Sequence, residues 1–377
     1  MLAIEERRQL LKFVQKSAPG TPYLRRVRII LLDDEGATQE SIAAELQVPI
    51  TRVRQMLRAY KREGIGLFPE SLWSSLTFRP EDQITNAARQ IVAELVASLE
   101  IYEVQLSEES IVTAVHESRK TIRKMRTGLR LFEPYFENHL LRSYRKRARK
   151  FMRRLARSRD IAVFLLNLEA STVEGSDSQG LSDRDRLLLS ELADYWRDRQ
   201  FAADARVREY LSEGKYRQLL DDLNDFANGD SGQAVTDNET SVAYISPVMI
   251  YQKLERVRTM GDRLGELQPE KLHALRITCK ELRYTLEFFE GLLGPSAYEC
   301  LETVKNLLLH LGDVNDARVH LQMIDQMERP DLDPAIALYR PVVEARLLQL
   351  QDDFPGKWAE LNSSEWRERL AAAVAVL

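Results

Sequence analysis

Two stretches of the chain carry one pattern and decide its fold: residues 115–126, VHESRKTIRKMR, and residues 272–283, LHALRITCKELR. Each places a histidine second, then an arginine three positions later, a cation seven positions later and another arginine ten positions later. The two histidines, His116 and His273, lie in distant parts of the chain. The pattern therefore marks a duplicated half-domain and is not a local accident.

Both stretches have the spacing of an amphipathic helix with one cationic face. At about 100° per residue, the cations of the first stretch fall within roughly a third of the helix circumference. Apolar residues take the opposite side in both copies: Ile122, Met125, Leu129 and Phe132 in the first, and Cys279, Leu282, Leu286 and Phe289 in the second. A cationic face backed by an apolar stripe suits a long anionic ligand.

Composition narrows the class of protein. The chain has 377 residues, 44% of them hydrophobic, which is enough for two or three packed units. Its net charge of −4 excludes a uniformly basic nucleic-acid coat. The cations are instead concentrated locally, with sixteen lysines and arginines between Arg119 and Arg159 against two acidic residues.

The sequence also indicates a compartment. Two cysteines without CxxC spacing imply reduced, intracellular thiols. The N-terminus is charged too early for a signal peptide, and no apolar run approaches the length of a membrane span. We therefore expect a cytoplasmic protein with no membrane contact.

Helical periodicity extends over nearly the whole chain, and strand-type alternation is scarce. The duplication continues beyond the two stretches, because Asp160 and Asp316 each precede an apolar helix that we expect them to cap. These features predict an all-α fold of two pseudo-symmetric antiparallel helical bundles, with the first helices of the two copies side by side, preceded by a small helix-turn-helix module. The predicted boundaries are 1–66 for the module, 67–80 for a linker, 81–325 for the duplicated domain (halves about 81–227 and 241–325) and 326–377 for a C-terminal helical extension.

Residues 116–132 and 273–289 resemble the two signature helices of the CHAD family, which is named for its histidines in an all-helical domain. The turns at Asp160 and Asp316 also match that family's pattern, and the resemblance covers roughly residues 81–325. It implies two antiparallel helical bundles and binding of inorganic polyphosphate on a basic surface. The glutamate-rich ExExK strand of the triphosphatase domain that often precedes this domain is not found in the sequence.

The residues themselves favour the same ligand. Polyphosphate carries about one negative charge per phosphate, and rows of arginines neutralise such a chain through paired hydrogen bonds. The first helix spans about 21 Å from His116 to Arg130 at 1.5 Å per residue, enough for several phosphates. Because Glu281 and Glu287 replace the cations Lys124 and Arg130 in the second copy, we expect an asymmetric site dominated by residues 116–157. The predicted ligands are His116, Arg119, Lys120, Arg123, Lys124, Arg126, Arg130, Arg142, Arg145, Lys146, Arg149, Arg153, Arg157, His273, Arg276, Lys280 and Arg283.

Other interpretations stay open. The cations of residues 142–157 are equally typical of a solvated helix face, and the basic surface would also suit DNA or RNA. His116 would either donate a hydrogen bond to phosphate or make an interhelical hydrogen bond. The cations around both histidines disfavour a metal, and no cofactor is implied. No catalytic order of residues is present, so we expect a non-enzymatic binding protein, with metal-assisted phosphate hydrolysis as a remote alternative.

Residues 21–66 have the spacing of a helix-turn-helix similar to the homeodomain-like units of bacterial transposases and regulators. Thr38 would cap the middle helix, and a short turn ending at Pro49 would lead into the third. Such a unit would contact DNA or serve as a protein docking module, and sequence-specific DNA binding would need a homodimer. It would associate the protein with the nucleoid or with polyphosphate granules. The predicted DNA contacts are Arg52, Arg54, Gln55 and Arg58.

Overall fold

The computed structural model describes residues 2, 4–16, 24–46, 48–68, 78–106, 111–137, 139–174, 181–235, 240–262 and 269–377. Throughout these residues the α-helix is the dominant element, which confirms the predicted all-α fold. The helices are α1 Ile4–Lys16, α2 Leu24–Asp34, α3 Gln39–Glu45, α4 Ile50–Glu63, α5 Ile84–Gln105, α6 Val112–Phe132, α7 Leu140–Arg154, α8 Ala156–Glu174, α9 Asp183–Ser212, α10 Lys215–Asn228, α11 Val242–Gly261, α12 Pro269–Phe289, α13 Ala297–Asp325, α14 Asp333–Asn362 and α15 Ser364–Val374.

The first four helices share a small apolar core of their own, which includes Val27, Ile42 and Val53. The Thr38 hydroxyl accepts a hydrogen bond from the Ser41 amide at 3.2 Å, which confirms the predicted cap of α3. Pro49 precedes α4, as predicted. The core ends at buried Phe68, and most of the predicted linker lies outside the described residues.

A second, larger core joins the two copies of the duplication. Its first half contains α5, α6, α7 and α10, and its second half contains α11, α12 and α13. The C-terminal extension belongs to this core, because the indole of Trp366 donates to the Cys300 carbonyl at 3.3 Å. A further cluster packs α8 and α9 against α13 and α14 around Phe164, Trp196 and Tyr339.

The two copies differ after their cationic helices. In the first half the chain breaks at Leu155 between α7 and α8, whereas α13 runs unbroken through the equivalent region. Asp160 therefore lies inside α8 and Asp316 inside α13, so the prediction that they cap helices is wrong. Arg157, predicted together with the other cations of residues 142–157, belongs to α8 and not to α7.

Helices α6 and α12 lie side by side, as predicted for the two copies. Arg119 and Arg276, which are equivalent in the repeat, line the same cavity. Two ion pairs cross between them: Lys124 to Glu287 at 3.3 Å and Arg130 to Glu281 at 2.6 Å. Each glutamate that distinguishes the second copy thus pairs crosswise: Glu281, equivalent to Lys124, binds Arg130, and Glu287, equivalent to Arg130, binds Lys124.

No helix in the described part of the chain is long and apolar enough to cross a membrane. Both cysteines are free and buried.

Candidate functional site

Four half-buried basic side chains meet where α6 and α12 face each other. They occupy equivalent positions of the repeat and form what we call the central cluster: Arg119, Arg123, Arg276 and Lys280. Among the described residues, none of the four has an acidic side chain within ion-pair distance. The Nε atoms of the three arginines are buried without a hydrogen-bond partner.

An unpaired buried charge is costly, so a fold retains such a cluster only with compensation. Burial, reinforced by Arg276 and Arg123, lowers the pKa of Lys280 to about 6. Burial likewise lowers the pKa of Arg119 to about 10, although Asp160 opposes the shift. The arginines of the cluster therefore hold positive charge at half-buried positions, whereas Lys280 is mostly neutral near pH 7. A bound anion would stabilise the arginine charges and favour the protonated form of Lys280.

A second set of cations extends the cluster along α6 and α7. Burial, together with Arg130, Arg149 and Arg145, lowers the pKa of Arg126, so the cations of the two helices face one another. The Arg126 guanidinium reaches only the Met152 sulfur, at 3.8 Å, and Arg119 donates to the Met152 carbonyl at 3.3 Å. We call this surface the basic face; it comprises the central cluster with Arg126 and Arg149.

The basic face ends in a cavity of about 110 Å³ at the N-terminal end of α6. We call it the end cavity. Its walls come from α6, α8, α12 and α13, and they carry acidic as well as basic groups. It is lined by His116, Arg119, Arg123, Arg159, Asp160, Val163, Arg276, Asn315, Asp316, Val319 and His320.

The remaining predicted ligands are not gathered in the central cluster. Lys124, Arg130 and Arg283 are engaged by Glu281 and Glu287. Lys120 lies 3.5 Å from Glu117, and Arg145 lies 2.6 Å from Glu133. The others are exposed on α7 and α8, namely Arg142, Lys146, Arg149, Arg153 and Arg157. As phosphate ligands, all of these stay predictions.

The two histidines of the repeat have different surroundings. The Nε2 atom of His116 lies 3.7 Å from Glu117, and burial, aided by Arg159, lowers its pKa. His273 is exposed on α12, and its Nδ1 atom lies 2.9 Å from the side-chain oxygen of Asn315 on α13. The interhelical hydrogen bond considered for His116 is thus made by its counterpart.

Sequence reasoning missed two residues of the end cavity. Arg159 directly precedes Asp160, which was already identified from the sequence as part of the duplication, so its position could have identified it as a site residue. His320 carried no signal, because only the packing of α13 against α8 brings it to the cavity.

In the N-terminal helices, Arg52, Gln55 and Arg58 are exposed on α4. Arg54 is also exposed, but its Nε atom donates to Gln39 at 3.2 Å.

The fold is a helical domain of duplicated architecture that presents a basic face. The CHAD family profile matches residues 90–325, more than half of the chain, and the protein belongs to this family. CHAD domains bind polyphosphate.

Two solved structures are similar. The CHAD domain from the plant Ricinus communis shares 20% identity with a TM-score of 0.57, covering 80% of this chain and 95% of that one. PptA from Streptomyces chartreusis shares 13% identity with a TM-score of 0.56, covering 74% of this chain and 99% of that one. At these identities the likeness shows the fold alone. The comparison with curated proteins found no match.

Proposed function

We propose that this protein binds inorganic polyphosphate on the basic face, without chemical conversion of the ligand. One observation carries the proposal: the central cluster brings four half-buried basic side chains together, and no described acidic side chain pairs with them. Other cations that are buried as deeply, such as Lys124 at the α6–α12 contact, have carboxylate partners. The exception therefore points to an anion from outside the protein.

The chemistry of the cluster suits a chain of phosphates. Guanidinium groups donate paired hydrogen bonds to phosphate oxygens, and the unpartnered Nε atoms supply donors of this kind. The exposed α7 cations would add electrostatic attraction along the chain, with counterion release and strong salt dependence. The second half contributes Arg276 and Lys280, whereas its two glutamates serve the contact between the halves. This supports the asymmetric site expected from the sequence.

The test is a titration of the full-length protein with long-chain polyphosphate at low and physiological salt. The variant Arg119→Ala/Arg123→Ala/Arg276→Ala should lose at least tenfold in affinity, since each lost charge-assisted contact costs about 1.5–3 kcal/mol. A matched control removes three exposed arginines of α9: Arg184, Arg186 and Arg206.

The control changes net charge equally and should retain near-native affinity at physiological salt. An equal loss of affinity in both variants would show that binding is nonspecific charge attraction, and it would refute the site. Tighter binding of mixed-sequence duplex DNA than of polyphosphate to the same face would favour the nucleic-acid interpretation. Release of phosphate in the presence of Mg²⁺ or Mn²⁺ would contradict binding without conversion.

We also propose that α4 contacts DNA, as the second helix of a helix-turn-helix formed with α3. The supporting observation is its exposed row of Arg52, Gln55 and Arg58, residue types that bind phosphates and base edges. Such a protein would tether DNA to polyphosphate or regulate transcription in response to it, and as a homodimer it would read a specific site. The variant Arg52→Ala/Arg58→Ala should weaken duplex DNA binding and leave polyphosphate affinity unchanged. Unchanged DNA affinity would remove this second role.

A further inference from the structure

The end cavity differs in chemistry from the rest of the basic face. Beside four arginines it contains two carboxylates, Asp160 and Asp316. Burial raises the pKa of Asp160, and Asp316 adds to that rise although Arg119 opposes it. A site meant only to attract an internal stretch of polyanion gains nothing from carboxylates, because they repel phosphate oxygens. The cavity therefore selects a ligand that offers donors as well as acceptors.

The side chain of His320 is a second, independent observation that indicates a ligand. Its side chain is buried, at 2% exposure, and its Nε2 atom has no hydrogen-bond partner in the protein. Its Nδ1 atom lies 3.5 Å from the Tyr339 hydroxyl. Burial lowers the pKa of His320 to about 4 and raises the pKa of Tyr339, so the imidazole is neutral and the phenol is protonated near pH 7.

The tautomer of His320 follows from this contact. When Nδ1 accepts the Tyr339 proton, the imidazole carries its own proton on Nε2. His320, which lines the end cavity, then carries a buried N–H donor that has no partner among the described residues. A buried donor without a partner costs about 1–3 kcal/mol, which an acceptor from a ligand would recover.

Only the end of a polyphosphate chain matches a cavity that contains both cationic donors and carboxylate acceptors. An internal phosphate carries one charge and offers acceptors alone. A terminal phosphate ionises a second time near pH 6, as a phosphomonoester does, so it carries either a second charge or a hydroxyl proton. The arginines and His320 match the doubly charged form. The carboxylates of Asp160 and Asp316 accept from the protonated form.

We propose that the end cavity holds the terminal phosphate of a polyphosphate chain, whose following phosphates lie along the basic face. This inference rests on the proposed function and adds end recognition to it. The volume of about 110 Å³ suits one phosphate group and excludes a folded stretch of the chain. The protein would thus bind chain ends tightly and the interior of a chain weakly.

The test compares two chains of equal length, one with free ends and one with both terminal phosphates converted to phosphoramidates. The native protein should bind the free-ended chain about tenfold more tightly. The variant His320→Phe gives α13 a phenylalanine, the residue type that the first half has at the equivalent position, 164. This variant should bind both chains with the affinity that the native protein has for the capped chain. The matched control Arg126→Ala/Arg149→Ala should weaken binding of both chains by the same factor.

A second measurement uses the native protein alone. At protein concentrations between the two affinities, sedimentation should show two proteins per free-ended chain whether the chain is short or several times longer. A number that grows with length, or equal affinity for capped and free chains, would overturn end recognition while the proposed function stands. Orthophosphate binding as tight as that of chain ends would make the cavity a site for free phosphate. Failure of every chain to bind would refute both proposals.

Discussion

Replacing Glu287 by methionine should lower the free energy of unfolding by about 3 kcal/mol, the lower end of the cost of breaking a buried ion pair. The Glu287 side chain is 6% exposed, and it lies 3.3 Å from Lys124 and 2.6 Å from Arg283. Lys124 is itself only 14% exposed, so the substitution leaves a mostly buried ammonium without this carboxylate. The loss should follow from that stranded charge more than from the missing attraction.

The pH dependence of this contribution has a definite sign. Burial alone would raise the pKa of Glu287, but Lys124 and Arg283 hold it below its usual value. The stabilisation is therefore present above the unfolded pKa of about 4.3 and is lost as pH falls through the lower folded value. The stability difference between the native protein and Glu287→Met should accordingly be constant at neutral pH and shrink in strong acid.

The assay is urea unfolding followed by tryptophan fluorescence, applied to Glu287→Met, Lys124→Met and the double variant. The double variant should be more stable than the sum of the single losses predicts, by about 1 kcal/mol or more, because it removes the Lys124 ammonium together with the carboxylate that it contacts. As a control, Arg329→Met breaks the exposed pair with Asp331, whose side chains are 45% and 57% exposed, and should leave the free energy of unfolding unchanged within error. A Glu287→Met loss no larger than the control, or strict additivity, would refute the reasoning.

Three further outcomes are expected. Polyphosphate affinity should rise by up to about tenfold per pH unit as pH falls from 8 toward 6. The reason is that binding returns a proton to Lys280, whose pKa in the free protein is about 6. In calorimetric titrations, Lys280→Met should flatten this dependence of affinity on pH. Gly261→Ala should cost about 3 kcal/mol in thermal unfolding, since its Cβ would lie 2.0 Å from the Trp358 ring, whereas Gly356→Ala, with open space around it, should be neutral or stabilising. Thr38→Ala should cost about 1 kcal/mol and speed amide exchange in α3, and an unchanged exchange rate would contradict the capping role.

The repeated pattern was sufficient to predict the all-α fold and the adjacency of α6 and α12. Helical periodicity is local, and it places Ile122 and Met125 in the core without knowledge of the partner helix. The same pattern also identified Arg119 and Arg276, which the structure brings to one cavity. These successes depend on information that each helix carries by itself.

The misses depend on packing between helices. A residue such as Asp160 before an apolar run reads as a cap, and only the position of the preceding break at Leu155 shows that it lies inside a helix. The glutamates of the second copy read as a weakened ligand site, because their partners Lys124 and Arg130 lie on the other half. His320 belongs to a cavity that exists only once α8 and α13 meet.

The crossed ion pairs between the halves also set which copies can associate. Two first halves placed in the same arrangement would bring Lys124 against Arg130 twice, and two second halves would bring Glu281 against Glu287 twice. Both arrangements would set like charges together at a largely buried contact, where repulsion costs several kcal/mol. The duplication has therefore become a matched pair: neither half can be replaced by a copy of the other. Neighbouring chains can exchange halves only by pairing a first half with a second.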